Sequence, residues 1–268
     1  MEAYTGFASL YDTFMDNVPY GEWSRYVIGL LREYGIDGGI VCELGCGTGS
    51  ITRRLRDAGY DMIGIDISED MLDVAREYEF EKVWQGEDGC TDILYLNQDM
   101  REFELYGTVA AIISLCDSMN YITQEEDLKK VFELVNNYLD PGGIFIFDMN
   151  TVHKYRDLIG DATIAENRED CSLIWENSYQ EETGLNQYDI TIFRRVDFEE
   201  GEALYERIQE THIQRAYEPE TIVRLIDEAG MEFVAMYDAG THNAVTAETE
   251  RIYFIAREKR QKGKLYLS

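Results

Sequence analysis

Positive charge is scarce in this chain. Across 268 residues, 24 Lys and Arg stand against 53 Asp and Glu, a net charge of −29. Nucleic acids are held mainly by Lys and Arg neutralising phosphates, so this balance disfavours nucleic acid as a partner. It disfavours docking on an anionic membrane for the same reason. Proline is rare too, with 3 residues, which argues against long stiff linkers. Histidine is limited to His153, His212 and His242, and no C-x-x-C is present, so a zinc site is not expected. The 5 cysteines, Cys42, Cys46, Cys90, Cys116 and Cys171, are odd in number and scattered, which fits buried reduced thiols rather than a disulfide framework. No apolar run approaches the ~18–20 residues needed to span a bilayer. The first 24 residues carry no Lys or Arg and no apolar segment of the signal-peptide kind. These absences together predict a soluble, cytoplasmic protein.

What is present is enough for a large core: 45% hydrophobic and 12% aromatic residues. The stretch GEWSRYVIGLLREY repeats apolar residues at three- and four-residue steps and predicts a helix over 21–34. GGIVCEL predicts a buried strand, a glycine cluster follows, and ITRRLRDAG predicts a helix ending at Gly59. YDMIGID predicts a second strand. Ser68 is placed to cap the next helix, with Glu69 and Asp70 in its first turn. Residues 80–91 are expected to form a loop. ILYLNQDM, TVAAIISL and GIFIFDM predict three further strands. Thr123 and Glu126 match a T-x-x-E capping box ahead of a helix that stops at Asp140-Pro141-Gly142-Gly143. Strands alternating with helices, the strands nearly uncharged, predict a doubly wound parallel sheet. From about 160 to 215 the pattern changes to alternating apolar and polar residues, which predicts antiparallel strands with one wet face. One more helix, starting near Pro219 and ending at Gly230, precedes two closing strands, MEFVAMYDAG and RIYFIARE. The basic tail beyond is expected to be a solvated end.

The sharpest chemical signal is Glu43-Leu44-Gly45-Cys46-Gly47-Thr48-Gly49-Ser50. Glycines between a strand and a helix allow a tight turn and close approach of a ligand to free backbone N–H groups. A dinucleotide fingerprint would read G-x-G-x-x-G/A, and its last position here is Ser50. Glu43 would repel a pyrophosphate but suits a ligand carrying an ammonium group. Asp66, ending the second strand, is suited to ribose hydroxyls. Asp99 and Met100, after the third strand, could hold an exocyclic amine and one face of a purine. Together these describe a nucleoside without phosphates.

Glu43-x-Gly45-x-Gly47-x-Gly49, Asp66-Ile67, Gln98-Asp99-Met100 and Leu139-Asp140-Pro141-Gly142-Gly143 resemble the motif series of class I S-adenosylmethionine-dependent methyltransferases. The looser set Phe7-Ala8-x-x-Tyr11-Asp12, Tyr20-x-x-Trp23 and Asp117-Ser118-Met119-Asn120-Tyr121 resembles a bacterial branch that includes sugar-amine and other small-molecule N-methyltransferases. The resemblance implies an α/β, Rossmann-like fold. It implies a seven-stranded, mostly parallel sheet with helices on both faces and an antiparallel last strand. The chain is then a single methyltransferase domain over 1–268, with its core in 21–150 and 216–258. The antiparallel β insertion of 160–215 would serve as an acceptor lid or a layer pairing two subunits in a homodimer.

By the same resemblance, Gly45, Cys46 and Gly47 lie against the methionine part of S-adenosylmethionine, Asp66 binds the ribose, and Ile67 and Met100 sandwich the adenine. Asp99 holds its amine, and Leu115 lines the cleft. Tyr11, Tyr20 and Trp23 are candidate lid residues over the cofactor, and each could equally be core. Asn120, Tyr121 and His153 sit at the ligand-holding end of the sheet and are weaker candidates for touching the substrate. Asn120 could merely shape its turn, and a lone His is more often structural. Methyl transfer from a sulfonium needs alignment and exclusion of water more than a metal. The reading is therefore methyl transfer to a small-molecule acceptor. Its rivals are methylation of RNA or protein, a nicotinamide-dependent oxidoreductase, and a binding module that keeps the cofactor pocket without catalysis.

Overall fold

Short apolar strands bounded by glycine alternate with amphipathic helices through the first half of the chain, and the computed structural model folds them in that order. It describes residues 8–84, 93–196 and 203–260. Helices α1 (Ala8–Phe14) and α2 (Tyr20–Glu33) lead into β1 (Ile40–Leu44), α3 (Ser50–Asp57), β2 (Asp61–Asp66), α4 (Glu69–Trp84), β3 (Leu94–Asn97) and β4 (Val109–Ser114). A 3-10 turn, Ser118–Tyr121, precedes α5 (Glu125–Tyr138) and β5 (Leu139–Asn150). After a π-helical turn, Lys154–Ile159, come β6 (Thr163–Asn167), β7 (Cys171–Gln180), β8 (Leu185–Arg195) and β9 (Tyr205–Arg215). The chain closes with α6 (Pro219–Glu228), β10 (Met231–Asp238) and β11 (Arg251–Glu258).

Seven strands form one sheet in the order β10-β11-β5-β4-β1-β2-β3. Its pairs are parallel except those of β11, which runs antiparallel to both β5 and β10. The two-residue repeat of a strand divides its side chains between the faces. Val41, Ala111, Ile113, Ile144 and Ile146 pack with α2 and α3. Their neighbours Cys42, Ile112, Phe145 and Phe147 pack with α5 and α6 on the other side. Phe145 stacks on Phe147 at 4.6 Å between ring centroids, and Phe147 on Phe254 at 5.2 Å. Burial on both faces explains why these strands read as continuous apolar runs.

The strands of 163–215 form a separate four-stranded antiparallel sheet, β6-β7-β8-β9. From Asn186 to Ile192 every second residue of β8 is buried: Asn186, Tyr188, Ile190 and Ile192. Among the described residues, no helix is long and apolar enough to cross a membrane. Cys42, Cys46 and Cys171 are buried free thiols and Cys116 is partly exposed. Cys90, the acidic Glu87-Asp88-Gly89 segment, Phe7 and the tail beyond Arg260 lie outside the described residues.

Two local expectations are corrected. Helix α4 runs on through 80–84 instead of yielding to a loop there. Glu79 and Lys82 explain the extension, since they pair with Arg56 and Asp57 at the end of α3. The remainder of the expected loop, 85–91, lies outside the described residues. The Thr123 capping box does not form: Gln124 occupies the cap of α5, with no side-chain cap bond. The carbonyl of Thr123 accepts a hydrogen bond from Arg215 at 2.9 Å. Ser68 does cap α4, its hydroxyl accepting from the Met71 N–H at 3.3 Å.

The turn after β4 has no glycine, yet Cys116 and Asp117 both adopt left-handed backbone, at φ 59° and 56°. Such residues cost energy unless the surroundings hold them. Asp148 holds them. Its fully buried carboxylate accepts from the N–H of Asp117 at 2.7 Å and of Cys116 at 3.1 Å. Arg251 pairs with Asp148 at 3.0 Å and with Asp117 at 2.7 Å. Removing one partner of a buried ion pair typically costs about 3–5 kcal/mol. Asp148→Ala is therefore expected to lower Tm by roughly 6–15 °C, measured by circular dichroism. A melting temperature equal to that of the parent protein would show that the pair does not carry the turn.

Candidate active site

Three glycines set the shape of the site. Gly45, Gly47 and Gly49 have φ of 71°, 53° and 74°, the region that L side chains avoid. A Cβ on Gly45 would stand 2.5 Å from the Ser118 hydroxyl oxygen, so the loop and the turn after β4 touch only because that position is bare. The N–H groups of Gly45 and Cys46 both donate to the Ile65 carbonyl, at 2.8 and 3.0 Å. Asp66 completes the clamp, accepting from the Gly47 N–H at 2.8 Å and the Ser68 N–H at 2.9 Å. One carboxylate thus fastens the glycine loop and the start of α4 to the end of β2.

Beside this loop lies a cavity of about 560 Å³ at the carboxyl end of the parallel strands. Such a crevice is where open α/β sheets hold ligands. Its lining includes Glu43, Gly45, Cys46, Gly47, Asp66 and Ile67 from one side. Asp99, Met100, Leu115 and Tyr121 line it too, as do Tyr11 and Tyr20. Ile67 is the most open of these at 58% exposure, an apolar side chain held out toward the cavity.

Three sequence candidates fall elsewhere. Trp23 does not line the cavity; it projects from α2 and packs partly buried against the core, edge-on to Tyr20 at 6.1 Å, with Arg251 5.2 Å over its ring. Asn120 is fully buried and its amide is consumed by backbone. It donates to the carbonyls of Asn150 and Arg215, at 3.1 and 2.8 Å, and accepts from the Asn150 N–H at 2.9 Å. His153 lies outside the lining and bonds to Asp157, four residues on, at 2.9 Å.

The structure adds residues that spacing alone did not suggest. Cys116 and Ser118 join the lining because Asp148 turns the chain back at that point. Helix α1 is tied to the glycine loop, to α4 and to the antiparallel sheet. Asp12 accepts from Thr48 of the glycine loop at 2.9 Å and from Tyr78 of α4 at 3.0 Å. Phe14 sinks into the core of the antiparallel sheet, and Asp16 pairs with Arg168 there. Behind Tyr121 stands a group from that same sheet, namely Tyr188, His212 and Glu210.

The electrostatics of the cavity are acidic. Burial pushes the Glu43 carboxyl up to about 8, against a hydrogen bond from the Thr52 hydroxyl and with the Asp66 charge adding to the rise. Burial also raises Asp66, opposed by the N–H groups it accepts from. Burial works to raise Asp99 as well, but Arg101 outweighs it and holds the carboxyl below its ordinary value. Ring and charge together suit a ligand with a cationic group, an aromatic base and hydroxyls.

Comparison with known proteins agrees with this geometry. The profile of a family described as a methyltransferase domain matches residues 41–143. A putative methyltransferase of Bacillus subtilis, YqeM, is 34% identical over 266 residues, 99% of each chain. The chain belongs to the S-adenosylmethionine-dependent methyltransferases. A crystal structure of one such enzyme from Clostridium acetobutylicum aligns with TM-score 0.80 and 29% identity, covering 96% of this chain and 99% of that one. A sugar N,N-dimethyltransferase of Streptomyces venezuelae, acting on a dTDP-linked 3-amino sugar, is 25% identical over 143 residues, 53% of this chain and 56% of its own. The nicotinamide and non-catalytic readings are thereby set aside. The methyltransferase takes S-adenosylmethionine as its cofactor, and the bare Gly45 cradle, the buried acid beside it and the apolar Ile67 and Met100 fit that group.

The position of Glu43 has a measurable consequence. A carboxyl whose value in the folded protein lies near 8 holds its proton there, while the unfolded chain releases it near 4.5. Stability is therefore lost as pH rises through that window and is unaffected below it. In the absence of ligand, Glu43→Gln should melt with the parent protein near pH 4.5 and several degrees above it beyond pH 8. Equal offsets at both pH values would contradict the buried, protonated state.

Proposed function

We propose that the methyltransferase acts on a small molecule and that the atom methylated is an amine nitrogen. S-adenosylmethionine supplies a methyl group already activated by the positive charge on its sulfur. The chain's own residues bind, orient and keep water out. Gly45, Cys46 and Gly47 present backbone to the amino-acid part, with Glu43 facing its ammonium group. Asp66 takes the ribose hydroxyls with the lone pairs its two N–H partners leave. Ile67 and Met100 hold the adenine between them, Asp99 accepts from its amine, and Leu115 closes the floor. Tyr11 and Tyr20 cover the mouth, and their ring faces favour a cation.

One observation carries the choice of acceptor. Tyr121 lines the cavity and the antiparallel sheet packs behind it, the Tyr121 hydroxyl lying 2.7 Å from Tyr188 and 3.1 Å from His212. A chamber ended by a packed wall suits a compact acceptor better than a polymer strand, and a net charge of −29 argues further against RNA. The amino-sugar enzyme among the relatives supports nitrogen as the nucleophile. On this reading residues 160–215 are the acceptor wall of a single domain.

The test is transfer of a labelled methyl group from S-adenosylmethionine into an extract of the source cells. Label in the low-molecular-weight fraction, resistant to nuclease and protease, is the expected result. Label in RNA or protein would overturn it. Asp66→Ala should weaken S-adenosylmethionine binding by about 1–3 kcal/mol in titration calorimetry. Unchanged affinity would remove Asp66 from the cofactor site.

A further inference from the structure

Polar side chains at the carboxyl end of β3 are spent on the local shape of the chain. Asn97 donates to the carbonyls of Asp66 and Ile67, at 3.2 and 2.8 Å, and so fixes the backbone on either side of the Ile67 N–H. Gln98 accepts from the Glu104 N–H at 2.8 Å and donates to the carbonyl of the same residue at 3.4 Å, closing 98–104 into a ring. Within that ring the Asp99 carbonyl accepts from the Glu102 N–H at 2.9 Å, and Phe103 is buried in the core. The segment is thus shaped by the protein alone.

Asp99 and Arg101 of this ring both line the cavity, and Arg101 grips Asp99. Arg101 Nε lies 3.0 Å from each carboxylate oxygen and Nη2 lies 2.5 Å from Oδ2. The Arg101 backbone N–H donates to Oδ1 at 2.9 Å. The other terminal nitrogen, Nη1, stands 3.9 Å from Asp127 of α5. Exposed ion pairs are commonly weak, and the two-pronged fork is the exception. Asp99 is also the more sheltered partner, its side chain 18% exposed against 45% for Arg101.

An ionised carboxylate offers about four lone-pair sites. The N–H groups of Arg101 occupy all but about one of them. Burial works to raise the Asp99 carboxyl, yet Arg101, helped by Lys130 of α5, holds it below its ordinary value. At neutral pH it therefore only accepts. A carboxylate free to turn meets a base in several ways. One with a single open site and a fixed direction meets an N–H donor at one place. Adenine presents an amine at carbon 6, whereas a 6-oxo purine presents a carbonyl oxygen, an acceptor facing an acceptor.

We propose that Arg101 is the positioning residue for base recognition: by fixing the Asp99 carboxylate in one orientation, it makes the site select a purine bearing a 6-amino group over one bearing a 6-oxo group. The inference rests on the reading above that Asp99 meets the adenine amine. Lysine is no substitute for Arg101, because an ammonium lacks the fork that engages both oxygens.

The test is a pair of Kd values, for S-adenosylhomocysteine and S-inosylhomocysteine, taken by titration calorimetry on the parent protein and its variants. The parent should prefer the adenine form by about 10- to 100-fold, the worth of one hydrogen bond to a charged acceptor. Arg101→Gln and Arg101→Lys should each bring that preference within about threefold, chiefly by weakening the adenine form. Both affinities falling by the same factor would mark a merely structural role and overturn the proposal, as would a preference kept intact in either variant. Asp99→Asn separates the two readings. Preference lost in Asp99→Asn but kept in the Arg101 variants would leave Asp99 at the amine and remove Arg101. A parent protein that binds the two ligands equally would defeat the reading of Asp99 and the proposal with it.

Discussion

A single buried carboxylate, Asp148, fixes the geometry on which the site depends. It satisfies two backbone N–H groups at a turn with consecutive left-handed residues and neutralises Arg251, which reaches on to Asp117. With that turn held, Ser118 comes up against the bare Gly45, and Leu115 and Cys116 face the cavity. The same turn starts the short helix that presents Tyr121. Gln214 of β9 also donates to Asp117 at 2.7 Å, so this knot is one of the points that register the antiparallel sheet on the Rossmann-like core, beside the bonds of Arg215 to Asn120 and Thr123. Charge buried at such cost is kept where it specifies a conformation that apolar packing would leave open.

Asp66 plays the corresponding part on the cofactor side. It both tightens the glycine loop and remains among the cavity residues. Glu43, one strand over, is too deeply buried to ionise easily without a cationic partner. On the proposed reading, the ammonium group of the cofactor would relieve that cost.

Much of this was legible in the order of residues. The β–α alternation, the glycine loop and the acids ending β2 and following β3 are local patterns, and local sterics dictate their structure. Alternation in 163–215 likewise announced antiparallel strands. Where structure and sequence part, the cause is tertiary. Thr123 looked like a helix cap, but α5 starts at Glu125 and the cap position falls on Gln124. Residues 80–84 looked like a loop because they run into the pattern-breaking Glu87-Asp88-Gly89-Cys90, while Lys82 pairs with Asp57 on another helix. Asn120 and His153 sit at the right end of the sheet, but their polar atoms are turned to backbone and to Asp157. Trp23 lies one ring behind the cavity, as support for Tyr20.

The sequence by itself determined the fold class, the cofactor loop and the family, because each is written in residues close together along the chain. Backbone conformation and hydrophobic periodicity act over a few residues, so they can be read in a line. Only the tertiary structure decided that Asp148, hidden in an apolar strand, would govern the turn after β4. Only it brought Glu210 and His212 up behind Tyr121, 91 residues earlier in the chain. A hydrogen bond reports distance in space and leaves no period in the sequence, so a polar cluster assembled from three elements becomes visible only once the chain has folded.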